Sequence, residues 1–164
     1  MGQKYNLTHV VRICSDNPFL NLSFISDLID NLDDSNIDYL SYRNHLGLPV
    51  IKTHIGLFAE IVSLSALVRT NESQNELIYQ EHVTNYIYAH PQRFKVELKP
   101  SPLEVHFRDD IRLTLDDIDD FEILSKLYKS TYEIKEDLSV LVNYIDKNED
   151  YKIKMINNIK KHSK

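Results

Sequence analysis

Apolar and polar residues fall along this chain in blocks whose period changes several times. His9-Val10-Val11-Arg12-Ile13-Cys14 is a β-branched run that stops sharply at Ser15-Asp16-Asn17-Pro18. A short apolar run with a polar stop reads as a buried strand of a parallel sheet. Asn17 and Pro18 favour a turn, and Asn21 or Ser23 is placed to cap a following helix. Phe24, Ile25, Leu28, Ile29 and Leu32 then recur at helical spacing, until Asp33-Asp34-Ser35-Asn36 breaks the pattern. Ile37 to Tyr42 predicts a second strand and Arg43 to Pro49 a loop. Ile51 to Val62 predicts a longer strand, interrupted at Gly56 where a bulge or a close backbone approach fits.

Ser63 to Arg69 predicts a short helix and Leu77 to Ala89 another, stopped by His90-Pro91. Phe94 to Leu98 alternates with period two, as a half-exposed strand does. Ile111 to Leu115 predicts a further strand, ending in Asp116-Asp117-Ile118-Asp119-Asp120. From Phe121 onward the pattern is helical: Phe121, Leu124, Leu127 and Tyr128 share one face, and Leu138, Leu141, Val142 and Ile145 another. Asn148 and Glu149 mark a break before a last basic helix, read as a solvated face. Strands alternating with helices predict an α/β domain over residues 1–130, its sheet order open, with a helical tail over 131–164.

Composition narrows the function more than the fold. The 164 residues carry a formal net charge of −6, which argues against nucleic acid as a partner. No apolar run approaches the roughly 18 residues a membrane span needs, and no signal-peptide pattern opens the chain. Cys14 alone cannot form an internal disulfide, so a reducing cytoplasm is the natural compartment, and it reads as a small core residue. With three glycines the chain contains neither GxGxxG nor the Walker pattern.

Two predicted strands end in acid, at Asp16 and at Asp116. Acids beyond the carboxyl ends of strands in an open α/β sheet are well sited for a metal, and Mg²⁺ takes one or two carboxylates plus substrate phosphates. By pattern alone, turn formers or helix caps remain the commoner reading. Asp119 and Asp120 suit the first turn of the next helix.

Four segments in order change that balance. Arg12-Ile13-Cys14-Ser15-Asp16-Asn17-Pro18-Phe19-Leu20 resembles the RITxDCPLI segment of spore-coat-polysaccharide-type cytidylyltransferases, relatives of the CMP-Kdo and acylneuraminate cytidylyltransferases. Glu81 to Tyr88 is similar to their EHVTPYIY, His90 to Phe94 to HPERF, and Arg112 to Glu122 to RLTVDTPEDFE. The resemblance covers nearly the whole chain. It implies a partial nucleotide-diphospho-sugar transferase fold, Rossmann-like, with a mixed sheet flanked by helices. It implies Asp16 and Asp116 as Mg²⁺ ligands, and transfer of CMP from CTP to a sugar or sugar phosphate for surface polysaccharide. Glu81 and His82 would lie near the sugar, and Arg12 in the same region.

The strand with Thr53-His54-Ile55-Gly56-Leu57-Phe58-Ala59 is similar both to the HIGIYAY strand of CMP-Kdo synthetases and to GLDVEVFS of the spore-coat type. The second alignment keeps Glu60 but puts Phe58 where that group has an acid. His54 and Glu60 are therefore candidate substrate residues or core-strand residues. Arg43 could grip an anionic sugar or be solvated. The family's RLPGK nucleotide-binding loop has no counterpart here, so the expectation is a chain that needs that half from elsewhere, with a homodimer also open. The alternative is an inert remnant that binds a partner or a sugar.

Overall fold

The computed structural model describes residues 2–32, 36–73 and 83–162. Its centre is a mixed four-stranded sheet in the order β1-β3-β2-β4, formed by His9–Arg12 (β1), Tyr39–Arg43 (β2), Glu60–Ser63 (β3) and Val96–Pro100 (β4). β3 runs antiparallel to both neighbours, pairing His9 with Ser63, Arg12 with Glu60 and Tyr39 with Val62. β2 and β4 are parallel, from Tyr39 opposite Val96 to Arg43 opposite Pro100. The α-helices among the described residues are Leu22–Asp30 (α1), Leu64–Ser73 (α2), Asn85–Ala89 (α3), Leu103–His106 (α4), Ile118–Thr131 (α5), Leu138–Asp146 (α6) and Glu149–His162 (α7).

The period-two rule divides the buried residues between the two sheet faces. Leu40, Tyr42 and Ile61 join a large core with Leu28 of α1, Leu124 and Leu127 of α5, Leu141 and Ile145 of α6, and Met155 of α7. Tyr39 and Val62 join a smaller one with Ala66 of α2, Tyr86 and Ile87 of α3, and Phe94. Polar side chains start three of the helices. Asn21 accepts from the Ser23 N–H, Asp117 from the Asp120 N–H and Asp137 from the Val140 N–H, satisfying amides that have no intrahelical partner.

Several local expectations change. β1 is not a buried parallel strand but an antiparallel edge strand, with Val11 39% exposed; a β-branched run has the same appearance in either setting. The apolar stretch 51–62 forms a ladder only over Glu60–Ser63. Ahead of it lie a 3₁₀ turn at Val50–Lys52 and a left-handed Gly56 at φ +63°. Residues 111–115 form no strand either. The two stretches run together through isolated bonds, with the Leu113 N–H on the His54 carbonyl at 2.8 Å. A Cβ on Gly56 would stand 2.6 Å from the Leu113 carbonyl oxygen, so the close approach expected at this glycine is present. Of the helix expected over 77–89, Asn85–Ala89 is helical, while 77–82 lie outside the described residues. Phe121 is exposed, and Cys14 is half-buried, not a core residue.

Candidate functional site

A cleft of about 1070 Å³ opens at the end of β1. Arg12, Cys14, Ser15 and Asp16 line one side of it, and Lys52, Thr84, Asn85 and Tyr88 contribute from the 3₁₀ turn and α3. Behind its lining residues Arg12 and Thr84 lies a buried polar group. Arg12 is ion-paired with Glu60, whose side chain is 2% exposed. The Tyr39 hydroxyl donates to the other Glu60 oxygen at 2.5 Å, and the Thr84 hydroxyl donates to Oε1 at 3.3 Å. Three donors for one carboxylate fulfil the condition for keeping a charge in a core. Glu60 thereby fixes Arg12 at the cleft wall. Lys52 lies over the Tyr88 ring, 5.4 Å from its centroid, so the cleft carries a second cation beside an aromatic surface. Burial first, then the Glu60 charge, pushes the Tyr88 hydroxyl up to about 12, which keeps it a donor at neutral pH. Burial likewise pushes the Cys14 thiol up.

Asp16 stands apart electrostatically. Its Oδ1 is buried and has no hydrogen-bond partner, alone in this among the side chains of the described residues. Asp16 also lines a second, smaller cavity with Asn17, Thr53, Gly56 and Thr114, so it sits where two cavities meet. A buried carboxylate oxygen without a donor is costly unless something supplies positive charge. A hard cation suits that oxygen.

Asp116 follows directly on a residue that is bonded to the Asp16 backbone. The Leu115 N–H donates to the Asp16 carbonyl at 2.8 Å, which sets the two acidic segments side by side. The Asp116 carboxylate is 45% exposed and accepts from Arg112 Nη2 at 2.6 Å. Arg112 is 2% exposed and uses its whole fork: Nε and Nη2 donate to Asp120 at 2.7 and 2.6 Å, and Nη1 donates to His54 Nδ1 at 2.5 Å. A guanidinium only donates, so His54 Nδ1 carries a lone pair. Burial and then the Arg112 charge hold the His54 imidazole below its ordinary range. Asp120 also accepts from the Asp116 N–H at 3.0 Å and from Asn158 Nδ2 at 2.8 Å.

The cytidylyltransferase family model matches residues 2–155. The chain belongs to the cytidylyltransferase family. It is 35% identical over 143 residues to an uncharacterized protein of Methanocaldococcus jannaschii, which covers 87% of the chain and 55% of that protein. It is 30% identical over 144 residues to the spore coat polysaccharide biosynthesis protein SpsF of Bacillus subtilis, covering 86% of the chain and 56% of SpsF. The chain thus spans about half the length of the curated relatives it matches. A solved cytidylyltransferase of Leptospira borgpetersenii superposes with a TM-score of 0.73 at 26% identity, over 92% of the chain and 60% of that structure.

In this cytidylyltransferase-family chain the remaining candidate residues scatter. Arg12 lines the cleft and Glu60 lies behind it. Arg43 donates to the Leu98 carbonyl at 3.2 Å, and His54 lines a different cavity with Asn44 and Arg108. Glu81 and His82 lie outside the described residues. Sequence reasoning passed over Lys52, Asn85 and Tyr88, although Asn85 and Tyr88 sit inside a family-like segment. It also missed Arg112 and Asp120, whose signal is a charge at every fourth position, 112, 116 and 120, beside the apolar Ile111 and Leu113. Asp117, Asp120 and His162 form the one group of three potential metal ligands among the described residues. Those atoms are already engaged: Asp117 by Lys161 and His162, and Asp120 by Arg112 and Asn158.

Proposed function

We propose that the chain serves Mg²⁺-dependent transfer of CMP from CTP to a sugar or sugar phosphate for surface polysaccharide, at the cleft that ends in Asp16. The observation that carries this reading is the buried, unpartnered Oδ1 of Asp16 beside the Asp116 segment. Asp16 and Asp116 would hold the metal, which when bound neutralises phosphate charge. An acceptor oxygen of the sugar bonds to the α-phosphorus of CTP, and the α–β phosphoanhydride bond breaks to release pyrophosphate. Arg12, held in place by Glu60, and Lys52 supply fixed positive charge for anionic groups of the substrates. Thr84, Asn85 and the protonated Tyr88 hydroxyl offer hydrogen bonds suited to sugar hydroxyls. The net charge of −6 accords with nucleotide and sugar ligands rather than nucleic acid. No helix among the described residues is long and apolar enough to cross a membrane, and use of CTP suits the cytoplasm.

Calorimetric titration of CTP into the chain, with and without MgCl₂, tests this reading. Binding should require Mg²⁺ and weaken at least tenfold when Asp16 and Asp116 are both replaced by alanine. Binding that ignores Mg²⁺, survives the double replacement, or does not occur would overturn it.

A further inference from the structure

Both polar ends of Asp116 are held by one buried ion pair, with a long bond from the Thr114 hydroxyl to Oδ2 at 3.5 Å besides. Its N–H donates to Asp120 Oδ2 at 3.0 Å, and its carboxylate accepts from Arg112 Nη2 at 2.6 Å. The same Nη2 also donates to Asp120 Oδ2 at 2.6 Å, so Arg112 and Asp120 close a ring around the Asp116 backbone and side chain. The ring is anchored from far along the chain. Asn158 of α7, buried at 7% exposure, donates to Asp120 Oδ1 at 2.8 Å, and His54 Nδ1 accepts from Arg112 Nη1. Arg112 and Asp120 are each 2% exposed, so neither can itself touch a substrate in the cleft.

We infer that Arg112 and Asp120, braced by Asn158, are positioning residues that hold the Asp116 carboxylate in the orientation in which it binds a divalent cation together with Asp16. The inference rests on the metal reading of Asp16 and Asp116 given above. Its physical basis is that a ligating carboxylate binds best when its own free oxygen is pre-aimed, and loss of such outer partners typically weakens metal binding by about 10- to 100-fold. One oxygen of Asp116 is used by Arg112, which leaves Oδ1 as the ligand atom. Lysine at 112 would retain the charge and lose the fork that serves Asp116 and Asp120 together.

Mn²⁺ alone, counted free and bound by electron paramagnetic resonance, is a direct probe at temperatures well below the melting transition of each variant. Asp120→Asn and Arg112→Lys should each weaken Mn²⁺ binding about tenfold, and Asn158→Ala several-fold. Asn158→Ala keeps the Arg112–Asp120 pair and serves where the other two variants fail to fold. In an Asp116→Ala background the same changes should have no further effect on Mn²⁺ affinity, a non-additivity that a purely structural role would not produce. Binding lost in Asp116→Ala but unchanged in Asp120→Asn, Arg112→Lys and Asn158→Ala would overturn the positioning role alone. A wild-type chain that binds no Mn²⁺, or binds it equally after Asp16→Ala and Asp116→Ala, would sink the metal reading and the positioning role with it.

Discussion

Two acidic segments lie side by side in this molecule and have opposite polar surroundings. At Asp16 a buried carboxylate oxygen has no donor, in a loop that opens on two cavities. Four residues to either side of Asp116, Arg112 and Asp120 form a more deeply buried pair that is engaged by Asp116, His54 and Asn158. One backbone bond, from the Leu115 N–H to the Asp16 carbonyl, joins them. Burial alone therefore does not distinguish the two segments. Satisfaction separates them: the paired charges build the frame, and the unpaired oxygen is the one that the proposed function gives to a cation.

The largest effect should come from breaking the satisfied side. Asp120→Ala leaves the Arg112 guanidinium buried without its main partner, and urea unfolding should show a loss of about 3–5 kcal/mol. Asp16→Ala is the converse experiment. Folding stability should stay within about 1 kcal/mol of wild type, or rise, because an unsatisfied buried oxygen is removed. Affinity for CTP in MgCl₂ should nevertheless fall by at least about tenfold, or about 1.4 kcal/mol. If Asp16→Ala proved as destabilising as Asp120→Ala, the contrast between the two segments would collapse.

Gly56→Ala probes the seam between them. The new Cβ would meet the Leu113 carbonyl at 2.6 Å from a residue at φ +63°, and thermal unfolding should report a loss of about 2 kcal/mol or more. Acid should act on the satisfied side as well. Burial alone would raise the Asp120 carboxyl, but Arg112, the Asp116 N–H and Asn158 outweigh it and hold the group below its ordinary range. A depressed carboxyl stabilises the fold above its unfolded value of about 3.9 and loses that contribution as pH falls through the lower folded value. Unfolding free energy should therefore be insensitive to Asp120 between neutral pH and about pH 5, then decline below about pH 4 in wild type. The smallest effect belongs to the exposed edge: Val11→Thr should shift stability by less than about 0.5 kcal/mol.

The helices were legible because their signals are local. Asn21 caps α1 as its position implied, and Leu141, Val142 and Ile145 occupy one buried stripe of α6. The strands were less so. Residues 51–62 and 111–115 are as apolar as real strands, yet whether an apolar stretch joins a ladder depends on partners remote in sequence. Gly56 gave the one local hint of their contact. The acids at 16 and 116 could be found from sequence, but their different states could not. An oxygen with no donor and an oxygen with an arginine are spelled alike, and only the fold brings Arg112, Asp120 and Asn158 into one cluster.

The link from α7 back to Asp120 has a consequence for synthesis. Asn158 follows Asp120 by 38 residues, and Lys161 and His162 reach Asp117 across 44 and 45. A chain emerging from the ribosome in order can form the sheet and α5 well before these side chains leave the exit tunnel. Until then the first turn of α5 holds Asp117, Asp119 and Asp120 with Arg112 as the nearby cation and no amide from α7. The loop that carries Asp116 is thus locked only by residues that the ribosome delivers after the sheet and α5.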